Sequence, residues 1–190
     1  MLDVVARSGA ARVVDPIGRR LARLGLTPTW VTLVGLGVTV AGSVMVASGR
    51  LLAGALIIVA GSALDALDGA VARAAGEVTP GGAVVDSVAD RIGETAMWGG
   101  LSYHLAGQPV AVALCVVALG TSFLIPYLRS RAEAEGLAGK GGLMGRAERV
   151  ILYSAGVASG WVLPMLWVML ALTVLTILQR FRLLWAQLSG

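Results

Sequence analysis

Long apolar runs, interrupted by short polar or glycine-rich breaks, set the pattern of this chain. Residues 24–49 carry no charge and exceed the roughly 20 residues a helix needs to cross a bilayer. Pro28, near the start of that run, suits a first helical turn. The run at 51–64 is shorter, so a second helix starting after Gly49-Arg50 must continue into an aspartate-rich segment at its far end. Gly76 and Thr79-Pro80-Gly81-Gly82 break the periodicity, and residues 83–103 form a third helix. Residues 95–128 contain no Asp, Glu, Lys or Arg but are too long for one helix; Gly107-Gln108-Pro109 divides them, leaving a fourth helix over about 110–129. A polar stretch at 131–149, with Gly139, Gly141 and Gly142, reads as the longest loop. Residues 150–179 split at Ser159-Gly160 and Pro164 into a fifth and a sixth helix. The pattern predicts an all-α integral membrane protein with six transmembrane helices over residues 28–190 and both termini on one side.

Composition narrows this further. With 57% hydrophobic and 14% charged residues in 190, the chain is neither disordered nor an ordinary soluble protein, and the spans use most of its length. One membrane domain, 1–190, is expected, and no nucleic-acid partner. Cys115 is the sole cysteine and lies in an apolar run, which excludes an intrachain disulfide framework or a thiolate metal site. Arg7, Arg12, Arg19, Arg20 and Arg23 resemble the basic region of a signal peptide, but the following run is too long and lacks a cleavage pattern, so it reads as a retained span.

Charge orients the bundle. In the six-helix topology, Arg50 alone among the fifteen Lys and Arg falls on the side away from the termini. The positive-inside rule makes the terminal side cytoplasmic, for a multi-pass protein of the plasma membrane. Val4, Val5, Val13, Val14, Ile17, Leu21 and Leu24 recur at helical spacing among the arginines, so residues 1–27 are expected to form an amphipathic helix on the anionic inner leaflet.

Against this background the segment from Asp65 to Asp90 is anomalous. A charge at membrane depth costs roughly 3 kcal/mol on insertion scales, and Asp65, Asp68, Asp86 and Asp90 fall close together at one interface. On a helix Asp65 and Asp68 are about 60° apart and Asp86 and Asp90 about 40° apart, so each pair shares a face and two helices can present four carboxylates to each other. Hard divalent cations with oxygen ligands hold such groups ionised, and the absence of accompanying His or Cys favours Mg2+ or Mn2+. Gly69 and Ala72 leave backbone room for a ligand, and Arg73 suits a phosphate. Together they point to a phosphorylated, pyrophosphate-containing substrate. The competing readings are intramembrane ion pairs of the aspartates with Arg73 and Arg91, or a cation pathway through a transporter.

The spacing Asp-x2-Asp-Gly-x2-Ala-Arg-x8-Gly-x3-Asp-x3-Asp, filled by Asp65, Asp68, Gly69, Ala72, Arg73, Gly82, Asp86 and Asp90, resembles the signature of the CDP-alcohol phosphotransferases. The resemblance covers the whole chain and implies a dimeric membrane enzyme that transfers a phosphatidyl-type group from a CDP-linked lipid to an alcohol, releasing CMP. It implies that Asp65, Asp68, Asp86 and Asp90 surround two metal ions, with Asp90 as general base. By the same carry-over Thr29, Thr32, Gly69, Arg73 and Thr79 contact the CDP moiety.

A second basic cluster bears on the acceptor. Arg129, Arg131, Lys140, Arg146 and Arg149 flank the long loop, and Gln179-Arg180 closes the last helix. A phosphorylated acceptor explains these cations better than a neutral alcohol. The run Pro126-Tyr-Leu-Arg129-Ser-Arg131-Ala-Glu, with Arg146-Ala-Glu-Arg149 and Gln179-Arg180, is similar to the actinobacterial phosphatidylinositol phosphate synthase branch, with Arg129 and Gly145 as departures from its Lys and Glu. The implied substrates are CDP-diacylglycerol and myo-inositol phosphate, with Arg129, Arg131, Arg149 and Arg180 on the acceptor phosphate. Glycerol 3-phosphate, used by phosphatidylglycerophosphate synthases, is the alternative. His104 falls far from the aspartates, and Gly35-x-Gly37 and Gly99-Gly100 read as close-packing positions.

Overall fold

The computed structural model describes residues 14–76, 79–139 and 141–189, and every regular element among them is helical. Residues 14–23 are helical, α1, and six longer helices follow: α2 (Pro28–Ala47), α3 (Leu51–Ala75), α4 (Pro80–His104), α5 (Pro109–Ala134), α6 (Arg146–Ser159) and α7 (Val162–Leu188). The boundaries follow local chemistry. Thr27 caps α2, its hydroxyl accepting from Trp30 N at 3.4 Å, with Pro28 in the first turn. Gly76 and Gly160 end α3 and α6 in the left-handed conformation that a glycine adopts without penalty.

Four boundaries differ from expectation. Pro80, Gly81 and Gly82 lie inside α4 rather than in the turn before it, because Thr79 caps the helix, accepting from Gly82 N at 3.1 Å. α5 runs through Pro126 to Ala134, and α6 starts at Arg146, so the long loop shrinks to 135–145. Glu133 in the last turn of α5 and Glu135 at its C-cap pair with Arg129 and Arg131 one turn earlier, which supports helix where polarity alone suggested loop. Pro164 falls in the first turn of α7, where a proline is tolerated, so Gly160 and Trp161 make the break.

Among the described residues four helices, α2, α3, α5 and α7, are long and apolar enough to cross a membrane. α4 matches them in length but carries Asp86, Asp90, Arg91 and Glu94, and α6 has only 14 residues. The described surface suits hydrocarbon: Val44, Leu56, Val116 and Trp167 are among the exposed large side chains, while Thr39, Ser43, Ser122, Thr173 and Thr176 are buried. Several buried hydroxyls find backbone partners in their own helix, as Thr39 does by donating to Gly35 O at 3.0 Å and Thr173 to Met169 O at 2.8 Å, whereas Ser122 Oγ has no hydrogen-bond partner.

Helix α2 packs on α3 and α4, α4 on α5, α5 on α7, and α6 on both α3 and α7. The α2–α3 seam is close enough that a Cβ on Gly42 would stand 2.9 Å from Gly54 O and Ile58 N. Gly35 joins this seam and Gly100 packs on the backbone of Ser43, whereas Gly37 and Gly99 face open space, so only one glycine of each predicted pair packs. The core gathers Ile58, Trp98, Leu101, Tyr153 and Met169. Trp98 meets Tyr153 edge to face at 5.2 Å, and the Tyr153 hydroxyl donates to Met97 O at 2.8 Å.

Helix α1 rests on α3, where a Cβ on Gly18 would come within 2.6 Å of Ala70 Cβ. Of the predicted surface helix, Arg7, Arg12, Val4, Val5 and Val13 lie outside the described residues.

Candidate active site

The ends of α2, α3 and α4 near Pro28, Ala75 and Pro80 meet around the acidic motif. One carboxylate oxygen from each of Asp65, Asp68 and Asp86 lies within 4.8 Å of the others. The three carboxylates form a compact oxygen donor set that fits a hard divalent cation. Helix α2 braces the set: Thr32 Oγ1 donates to Asp68 Oδ2 at 2.5 Å, and Asp68 is only 9% exposed.

Asp90, one turn beyond Asp86, stands with cations instead. Arg146 Nη1 lies 2.6 Å from Asp90 Oδ1 and also ion-pairs with Asp65 Oδ2, while Arg91 Nη2 lies 3.6 Å from Asp90 Oδ2. Asp90 Oδ1 is buried yet makes no hydrogen bond, so its contact with Arg146 is an ion pair without hydrogen-bond geometry.

A cavity of about 350 Å³ opens beside the aspartates. Its walls are Pro28, Thr29 and Thr32 from α2, Asp68, Gly69, Ala72 and Arg73 from α3, and Thr79, Gly82, Ala83 and Asp86 at the start of α4. Gly69 and Ala72 keep the α3 wall low, and a Cβ on Gly69 would stand 3.5 Å from Arg73 Nη1. Arg73 donates to Asp15 of α1 at 3.0 Å, which ties the short helix to the cavity rim.

On the far side of Asp90 a second polar assembly runs into α6 and α7. Glu94, 3% exposed, accepts from Arg149 Nε at 3.2 Å and from its Nη2, and from Arg91 Nη1 at 3.2 Å. Arg149 Nη1 reaches Met144 O at 3.4 Å, so all three guanidinium nitrogens are engaged. Arg180 donates through Nε to Gly141 O at 2.9 Å and through Nη1 to Ile125 O at 2.6 Å, pinning the 135–145 loop between α5 and α7. Arg129 and Arg149 lie within electrostatic reach of Arg180.

Residues 25–183 match the sequence model of the CDP-alcohol phosphatidyltransferase family. The chain belongs to that family. It is 37% identical over 198 residues to the phosphatidylinositol phosphate synthase of Mycobacterium bovis, an alignment covering 97% of this chain and 91% of the relative. The crystal structure of Mycobacterium tuberculosis phosphatidylinositol phosphate synthase with CDP-DAG bound superposes with a TM-score of 0.84 at 36% identity, covering 92% of this chain and 94% of that one. The same enzyme in complex with manganese and citrate gives a TM-score of 0.83 at 36% identity, over 90% and 88% of the two chains.

For a member of the CDP-alcohol phosphatidyltransferase family, the cavity holds a coherent set. Thr29, Thr32, Gly69, Arg73 and Thr79, each expected at the CDP moiety, all line it. Asp65, Asp68 and Asp86 come together as expected, while Asp90 is set apart by Arg146. Of the arginines expected at the acceptor phosphate, Arg149 and Arg180 are engaged within the fold, whereas Arg129 and Arg131 form exposed pairs with Glu133 and Glu135. His104 lies at the opposite end of α4, close to Gly49.

The alternative pairing of the aspartates with Arg73 and Arg91 is half corrected. Arg73 turns to Asp15, and Arg91 meets Asp90 and Glu94; the cation that bridges the motif is Arg146. Glu94 and Arg146 were both absent from the predicted site. Glu94 was legible, because Asp86, Asp90 and Glu94 repeat at four-residue spacing on one helical face. Arg146 was not, since its partners lie on other helices.

Proposed function

We propose that this protein transfers the phosphatidyl group of CDP-diacylglycerol to myo-inositol phosphate, forming phosphatidylinositol phosphate and releasing CMP. The observation that carries this reading is a single cavity joining the nucleotide-type contacts Thr29, Thr32, Gly69, Arg73 and Thr79 to the carboxylates Asp68 and Asp86. The comparisons support it, since the relatives matched over nearly the full chain are phosphatidylinositol phosphate synthases.

In this reading Asp65, Asp68 and Asp86, with Asp90 as the fourth ligand, hold two divalent cations, Mg2+ or Mn2+, and the tight oxygen set fits them. Such ions neutralise the pyrophosphate and the charge on departing CMP. Thr32 fixes Asp68 through its hydroxyl, and Arg73, released from Asp15, meets a phosphate of the CDP group. Asp90 takes the proton of the acceptor hydroxyl as the new oxygen–phosphorus bond forms and the bond to CMP breaks. Arg129, Arg131, Arg149 and Arg180 present positive charge to the acceptor phosphate, with Glu94 orienting Arg149.

The reading includes six spans, with α4 and α6 completing the four strongly apolar ones, residues 1–27 lying on the inner leaflet, and the site facing the cytoplasm. It also includes a homodimer, supported by the open face around Gly99 on α4. Membranes carrying the protein, supplied with CDP-diacylglycerol, Mg2+ and one acceptor at a time, test the proposal by CMP release. Release with inositol phosphate is expected. Release with glycerol 3-phosphate alone would move the enzyme to the glycerophosphate branch, and release with neither would remove the transferase reading.

A further inference from the structure

Two arginines one turn apart on α6 meet acidic partners in different ways. Arg149 uses Nε, Nη1 and Nη2 together, its side chain is 5% exposed, and Glu94 faces it with two bonds to one oxygen. That is the engagement expected of a permanent buried pair. Arg146 makes its contacts to Asp65 and Asp90 through the single nitrogen Nη1, and its buried Nε has no hydrogen-bond partner. Asp90 Oδ1 is likewise without a hydrogen bond although the guanidinium is beside it. Arg146 is therefore held by one hydrogen bond, from Nη1 to Asp65, while toward Asp90 it supplies charge without directional bonding.

The position of Arg146 allows movement. It is the first residue of α6, directly after a loop in which Gly141 and Gly142 adopt positive φ of 152° and 89°. Its side chain remains 26% exposed. Asp65, which it contacts, also contributes to the oxygen triad with Asp68 and Asp86.

We propose that Arg146 is an exchangeable internal counter-cation of the aspartate motif, holding Asp65 and Asp90 while divalent ions are absent and leaving them when the ions bind. The proposal rests on the metal-binding reading of the four aspartates. Its physical basis is competition: four carboxylates in one pocket repel each other and need positive charge, yet a guanidinium and a divalent ion sharing Asp65 repel each other.

The test uses the detergent-solubilised full chain and Mn2+ alone, followed by electron paramagnetic resonance, with no lipid substrate. Removing the competitor in Arg146→Gln is expected to tighten Mn2+ binding by about tenfold, within the range typical of coupled sites. Arg146→Lys, which keeps the charge, is expected to fall between that variant and the wild type. A second measurement needs no variant: Mn2+ is expected to increase labelling of Arg146 by an arginine-specific dicarbonyl, read by peptide mass spectrometry. Unchanged or weaker Mn2+ binding in a folded Arg146→Gln protein overturns the exchange. So does labelling of Arg146 that Mn2+ fails to raise, which decides the matter if the variant does not fold. If the wild type binds no Mn2+, the metal reading itself falls and takes the exchange with it.

Discussion

Thr32 on α2 donates its hydroxyl to Asp68 on α3 at 2.5 Å, and the same oxygen lies 3.1 Å from Pro28 O one turn earlier. The two residues are 36 positions apart, so the contact exists only because glycines let α2 and α3 pack closely. A hydrogen bond to a charged group contributes about 1.5–3 kcal/mol. Thr32→Val, which keeps the shape and deletes the donor, is expected to lower kcat/KM for the CDP-lipid by about tenfold or more. Thr32→Ser is expected to retain most of it. Equal losses in steady-state assays of both variants would show that the hydroxyl is not what matters.

Glu94 is the acidic anchor of Arg149 and Arg91, and both side chains of the Glu94–Arg149 pair are almost fully buried. Deleting one member of such a pair leaves an uncompensated charge and costs about 3–5 kcal/mol. Glu94→Ala is therefore expected to lower the unfolding temperature clearly in detergent, and Arg149→Leu with it. The double variant Glu94→Leu/Arg149→Leu should recover part of the loss. A double variant less stable than both single ones would contradict the pairing as the source.

Asp90 stands apart from the three clustered carboxylates and beside cations. If it is the base, Asp90→Asn keeps the size and removes the proton acceptor. Turnover is expected to fall by at least about a hundredfold, while binding of the CDP-lipid changes little. Equilibrium binding alongside CMP release separates the two, and a parallel loss of both would assign Asp90 to substrate binding instead.

Arg180 bridges Gly141 O in the loop and Ile125 O on α5, just before Pro126. Two directional donors reaching two carbonyls suit the guanidinium fork and not an ammonium. Arg180→Lys is expected to raise the KM of the acceptor nearly as far as Arg180→Ala does, with a smaller effect on that of the CDP-lipid. Full rescue by lysine would reduce the role of Arg180 to charge alone.

Much of this protein was legible in the linear pattern because helices are local objects. Pro28, Gly76, Thr79 and Gly160 mark helix ends through backbone preferences that act within a turn. The four-residue spacing of Asp86 and Asp90, and the three-residue spacing of Asp65 and Asp68, place each pair on a face without reference to any other helix. The polarity of residues 131–134 misled because i,i+4 ion pairs let charged residues continue α5.

The tertiary structure alone decided which cation meets which carboxylate. Arg146 reaches Asp65 across 81 positions and Arg149 reaches Glu94 across 55, while the nearby Arg73 turns away to Asp15. Helical periodicity sets the face a side chain occupies, but the rotation and approach of packed helices set what that face meets, and no spacing within one helix encodes either. The chain by itself therefore determined an acidic, metal-suited motif in an apolar bundle. Packing determined that Arg146 bridges it and that Glu94 couples it to Arg149, because ion pairs between helices depend on distances of a few ångströms that only the assembled bundle defines.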